Sequence, residues 1–249
     1  VRAQALKLLA HGLAREGVPS VRVDKRGMFG SAARGLDANT ATLPLYAADV
    51  LAWVEIARAE GGSPCAWLLG HSEGALVAAL AAQNAPASVC GVISVSGAGR
   101  KFGDVIREQL TSNPANAPVL DQALRALAEL EAGRDVDVTG MHPALLSLFA
   151  PQIQGYLKSL LSQDPAALLG AAQGPVLIVN GDADLQTTVA DARALAAARP
   201  DATLVIWPGV NHVLKAVPAD RAANVATYAD PDLPLAPGVV DVIASFVRR

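Results

Sequence analysis

Apolar positions along the chain follow two periods. Residues 4–17, QALKLLAHGLAREG, repeat every three to four positions and stop at Gly17, which predicts a helix; VPSVRVD, 18–24, alternates in twos and predicts a short strand. Beyond the glycine-bearing loop KRGMFGS, 25–31, the helical period returns in LYAADVLAWVEIARAE, 45–60. AWLLG then reads as a strand, EGALVAALAAQ as a helix and CGVISVS as a strand. The same alternation reappears later, with strands at PVLIVNG and TLVIWPG and helices over VADARALAAARP and VVDVIASFVRR. Strand and helix in turn predict a mostly parallel sheet flanked by helices on both faces.

Between 99 and 174 the alternation lapses. Helical stretches such as VLDQALRALAELEAG and PQIQGYLKSLLSQ follow one another, broken at Pro114, Pro118, Gly140, Pro143 and Pro151. An inserted helical cap accounts for this, dividing the chain into a first core part (1–98), the cap (99–174) and a second core part (175–249). No internal repeat suggests a solenoid.

Composition narrows the function. Apolar residues make up 52% of the 249 positions and charged ones 17%, enough for a sizeable core. Aromatics are only 4%, so that core is built from Ala, Leu, Val and Ile. A net charge of −3 without a basic stripe or stacking ladder argues against a nucleic-acid partner. No run of 18 apolar residues free of charges or breakers is present, so no membrane span is expected. Cys65 and Cys90 have no metal-site spacing. Each stands at the start of an expected strand. If those strands are parallel neighbours in register the thiols meet, and a disulfide favours export over the cytoplasm; otherwise they are small buried thiols.

The chemistry gathers in turns. Gly70-His71-Ser72-Glu73-Gly74 lies between an expected strand and an alanine-rich helix, the setting of a nucleophile elbow. Glycines beside a serine allow the sharp turn that lifts its hydroxyl above the sheet edge. A serine needs a base, and the base a carboxylate. Asp182 and Asp184 follow one later strand and His212 the next, each beyond a carboxyl end, where open α/β sheets place their sites. Asp184 is preferred as the acid because Asp182 directly follows Gly181 and suits a turn cap. Of the four histidines, His11 and His142 lie in helical patterns and His71 precedes the serine within the elbow, leaving His212 as the base. The backbone N–H of Glu73 is the expected oxyanion donor, its side chain a helix-start carboxylate.

These residues resemble the α/β-hydrolase superfamily, particularly its bacterial capped serine esterases and serine-aminopeptidase-like hydrolases. The resemblance rests on VRVDKRGMFGS, GHSEG, NGDADLQ and PGVNHVLK. It implies the α/β-hydrolase fold with a helical cap, a Ser72–His212–Asp184 triad, and no cofactor or metal. It also implies front strands and an oxyanion loop before the 4–17 helix, including a strand between those of VPSVRVD and AWLLG. The expectation is that these N-terminal strands and the second oxyanion donor lie in an upstream segment or companion fragment. Direct pairing of VPSVRVD with AWLLG would remove that expectation.

Met28, Phe29, Leu145, Phe149 and Tyr156 are the expected substrate-lining residues, in the loop and cap that can close an apolar surface over the acyl group. The activity implied is hydrolysis of a small ester or amide substrate: a carboxylesterase acting on short or medium acyl chains. An aminopeptidase, a thioesterase, a lactonase and an inert hydrolase-like binding protein remain as alternatives.

Overall fold

The computed structural model describes residues 3–32, 38–84 and 87–249. In chain order its regular elements begin with helix α1 (Ala5–Arg15), helix α2 (Leu43–Gly61), strand β1 (Ala66–His71), helix α3 (Glu73–Asn84) and strand β2 (Val89–Val95). Five helices follow: α4 (Phe102–Thr111), α5 (Leu120–Glu131), α6 (Pro143–Phe149), α7 (Gln154–Leu161) and α8 (Pro165–Gly170). The strand–helix rhythm resumes with β3 (Val176–Gly181), α9 (Val189–Ala198) and β4 (Thr203–Trp207), and the chain closes with α10 (Arg221–Ala226) and α11 (Val239–Val247).

The four strands form one parallel sheet in the order β1-β2-β3-β4. Successive side chains on a strand point to opposite faces, and both faces are covered. Leu68, Val92, Val176 and Ile178 face a cluster that includes Val54 of α2, Ala78 and Ala82 of α3, and Leu195 of α9. Their alternates Ile93, Val95, Leu177 and Val179 face Leu9 and Leu13 of α1 and Ile243 and Phe246 of α11. Trp67 of β1 meets the Phe246 ring edge to face at 5.3 Å. Alanines on α3 let that helix sit close to the sheet, which places its N-terminus directly above the end of β1.

The segment 18–24 departs from its expected strand. It forms no strand, residues 20–25 are all exposed, and Val21 and Val23 are 49% and 42% accessible. A strand is defined by its partner, and β1 is an edge of the sheet, unpaired on its outer side among the described residues. VPSVRVD and AWLLG therefore do not pair with each other. The β-branched period is present, but the ladder that would turn it into sheet is not.

Cys65 and Cys90 are joined in a disulfide, with Cα atoms 5.1 Å apart. Parallel pairing of Ala66 with Val89 brings the two cysteines together. Within the helical insertion the periodic positions Ala123, Ala126, Leu127 and Leu130 of α5 are buried against Leu145, Phe149 and Leu157, giving the insertion its own core. Leu160 of α7 reaches past that core to Leu76 and Val77 of α3 and Leu43 of α2, which seats the insertion beside the start of α3. Among the described residues, no helix is long and apolar enough to cross a membrane.

Candidate active site

Ser72 occupies the one residue between the end of β1 and the start of α3. Its φ is +57°, a left-handed conformation that a non-glycine residue adopts at a cost. Two backbone bonds hold it there: Ser72 N–H donates to Val95 O at 2.9 Å, and Ala75 N–H donates to Ser72 O at 3.0 Å. Gly70 is required by space, since a Cβ on it would lie 2.1 Å from the carbonyl oxygen of Gly74. Gly74 is not, because a Cβ there would meet nothing within 4 Å. Of the two flanking glycines, only the first makes the tight approach possible. Glu73 opens α3, so its N–H has no intrahelical acceptor and is free to meet an anion.

Asp184 and His212 come from the loops after β3 and β4. The carboxylate Oδ2 of Asp184 lies 2.8 Å from His212 Nδ1, with both side chains almost wholly buried. Asp184 Oδ1 accepts from the backbone N–H of Gln186 at 2.8 Å and of Thr187 at 3.1 Å, and Oδ2 also accepts from Thr187 Oγ1 at 3.1 Å. The carboxylate is thus fixed from three sides before it meets the imidazole. Asp182, the other acid of this loop, accepts from Gly209 N–H at 2.6 Å and ties the two loops together. A carboxylate on Nδ1 selects the imidazole tautomer whose Nε2 is bare and able to accept a proton.

The His212 loop is built around a buried asparagine. Asn211 Oδ1 accepts from Val213 N–H at 3.2 Å and Lys215 N–H at 3.0 Å, while its Nδ2 donates to Asn224 Oδ1 and Thr227 Oγ1. Asn224 in turn donates to Ala183 O at 2.8 Å, linking α10 to the acid loop. The loop returns over the elbow, where the rings of His71 and His212 have centroids 4.8 Å apart. The His212 ring thus lies against the residue that precedes Ser72.

His71, Thr187, Asn211 and Asn224 escaped the reading of the sequence as site residues. Each is placed by contacts across 90 residues or more, or by a loop whose shape the sequence does not print. The only local signal was the adjacency of His71 to Ser72. Burial, then the proximity of the His212 charge, depresses the His71 pKa to about 4, against the opposing pull of its bond to His212 and of Asp184. His142 serves elsewhere, its Nδ1 accepting Ala144 N–H at the start of α6, and His11 is exposed on α1.

The expected substrate-lining residues separate into three groups. Tyr156 packs edge-on against Tyr46 at 5.7 Å, beside the elbow. The ammonium of Lys25, paired with the Glu73 carboxylate, lies 5.2 Å from the Tyr46 ring centroid and 5.8 Å from that of Tyr156. Met28 and Phe29 are exposed, Phe29 at 84%. Leu145 and Phe149 depart from expectation: at 4% and 1% exposure they fill the insertion's own core, because the buried faces of its helices turn toward one another.

The α/β-hydrolase family model matches residues 3–228, and the chain belongs to that family. A comparison with curated proteins finds no significant match. Among solved structures, Est1E from Butyrivibrio proteoclasticus with ferulic acid bound superimposes with a TM-score of 0.59 at 19% identity, covering 99% of this chain and 84% of that one. A thermophilic esterase from Thermogutta terrifontis gives 0.56 at 18% identity over 100% and 86% of the two chains. A lipase-esterase related protein from Clostridium acetobutylicum gives 0.56 at 17% over 91% and 89%. At these identities the likeness is one of fold.

Proposed function

We propose that this protein is a serine hydrolase that cleaves carboxylic esters of short or medium acyl chains through an acyl-enzyme. The observation that carries the reading is the buried Asp184–His212 pair at 2.8 Å, whose imidazole lies against His71, the residue before a serine held at positive φ on the strand-to-helix turn. In this reading His212 Nε2 takes the Ser72 proton as Oγ attacks the ester carbonyl. Asp184 stabilises the imidazolium, which then protonates the departing alcohol. Water, deprotonated by the same imidazole, attacks the acyl-serine, and the proton returns to Ser72 as the acid leaves. The N–H of Glu73 faces the tetrahedral oxyanion.

The helical insertion acts as the cap in this proposal, since Leu160 and Tyr156 of α7 seat it against the start of α3. Substrate choice falls to Tyr46, Tyr156 and the loop carrying Met28 and Phe29. The test is intact-mass spectrometry after a fluorophosphonate probe, with the labelled peptide sequenced. One adduct on Ser72, lost in Ser72→Ala, together with turnover of p-nitrophenyl acetate or butyrate, is the expected result. A folded protein that neither labels nor turns over any ester would overturn the reading.

A further inference from the structure

We propose that His71 is a positioning residue for the catalytic base: a neutral imidazole that grips the main chain of His212 and holds its ring in place beside Ser72. The inference rests on the hydrolase reading above and adds to it a residue outside the triad. His71 Nε2 lies 2.7 Å from the carbonyl oxygen of His212. A carbonyl only accepts, so Nε2 carries the proton and donates. That assigns His71 the tautomer opposite to the one Asp184 imposes on His212.

The contact adds a third hold on the His212 loop. Asn211 pins the residues around it from beneath, Asp184 holds Nδ1, and His71 holds the carbonyl. A base that must reach a serine oxygen loses rate steeply when displaced by about 1 Å. Because His71 and Ser72 are consecutive, the same turn that aims the nucleophile also aims the base, and the two cannot drift independently.

Charge gives the second half of the assignment. The titratable groups facing His71 are His212 and Asp184. Each half-reaction makes His212 an imidazolium, whose ring is tilted 50° to that of His71 with centroids 4.8 Å apart. A neutral ring tolerates that neighbour; a cation would oppose its formation. Burial and the His212 charge keep His71 neutral down to about pH 4. The site therefore holds two histidines of different duty, one that must change charge and one that must not.

The test uses His71→Phe and His71→Gln, each checked for folding by circular dichroism and compared with the unaltered protein in p-nitrophenyl acetate kinetics and fluorophosphonate labelling. His71→Phe keeps a ring and removes the donor; kcat is expected to fall roughly 10- to 100-fold with little change in KM. His71→Gln restores an N–H and recovers most of the loss. Wild-type labelling rate and kcat in His71→Phe would overturn the proposal.

Nitrogen NMR of the unaltered protein supplies a reading that needs no activity. Protonated Nε2 and bare Nδ1 on His71 near neutral pH support the assignment; the reverse tautomer, or a doubly protonated ring, overturns it. If the unaltered protein neither labels nor turns over esters, the hydrolase reading fails on its own. The NMR result still decides whether His71 grips His212.

Discussion

At the scale of single residues, the acid and the histidine loop are held by buried hydrogen bonds. Asp184 Oδ2 meets both Thr187 Oγ1 and His212 Nδ1, and Asn211 spends both ends of its amide on the loop that carries His212. Such groups are costly to leave unmade when buried. His71 shows the other side of that cost. Its folded pKa, about 4, lies below the ordinary histidine value of 6.5. The unfolded chain therefore binds the extra proton first as pH falls, and stability is lost between pH 6.5 and 4, not gained. The expected size is on the order of 3 kcal/mol for the full interval. Urea unfolding at pH 7 and pH 4 should show a smaller acid loss in His71→Gln than in the unaltered protein, by roughly that amount.

Residue types next to the serine announced an elbow, and their spacing from two later loops announced an acid and a base. The choice between Asp182 and Asp184 turned on a local argument, turn capping, and in the structure Asp182 does bond the Gly209 N–H while Asp184 faces His212. The sequence offered no comparable argument for Thr187 or Asn224. A threonine after DLQ and an asparagine in a late helix look like surface residues until the loops are folded around them.

At the scale of elements, the disulfide is the constraint with the largest measurable effect. Cys65 and Cys90, 25 residues apart, bridge the edge strand β1 to β2. Closing a loop of that size in the unfolded chain stabilises the native state by about 3 kcal/mol. Cys65→Ala with Cys90→Ala should lower the urea-unfolding free energy by that order, with Ser72 reactivity retained under conditions where the variant is folded. The amphipathic period predicted the helices well, but not which of their apolar residues would meet one another. Leu145 and Phe149 were expected to line the pocket, and the packing of α5 and α6 makes them core. The 18–24 segment carried a strand pattern without a strand partner among the described residues, and its positions 19–24 stay exposed.

At the scale of the molecule, the insertion is fastened to the sheet domain by more than apolar contact. Arg100, just before α4, pairs with Asp191 at 2.9 Å and with Glu108 at 2.6 Å. Asp191 is fully buried and also receives Gly99 N–H and Thr188 N–H. Burial alone would raise its pKa, but Arg100 and these two N–H groups outweigh it and hold the carboxyl below its usual value. Its contribution is therefore present above the unfolded carboxylate pKa and lost as pH falls through the lower folded one. Arg100→Leu removes the guanidinium from a carboxylate that stays buried. With Arg100 partly solvated and two backbone donors remaining, the expected cost is about 1–3 kcal/mol. Thermal unfolding at neutral pH checks it, and the difference between variant and parent should shrink as the pH falls below the ordinary carboxylate range.

The sequence by itself determined the order of the elements, the parallel character of the sheet, the helical insertion and the loops that carry Ser72, Asp184 and His212. Those features follow from periodicity and from turn chemistry, which act over a few residues and are written locally. Only the tertiary structure decided that His71 meets the His212 carbonyl, that Cys65 and Cys90 meet, that Leu145 and Phe149 are core, and that 18–24 pairs with no strand among the described residues. Each of these depends on strand register or on the packing of elements distant in sequence, and a contact across 141 residues, such as that of His71 with His212, has no local signature to read.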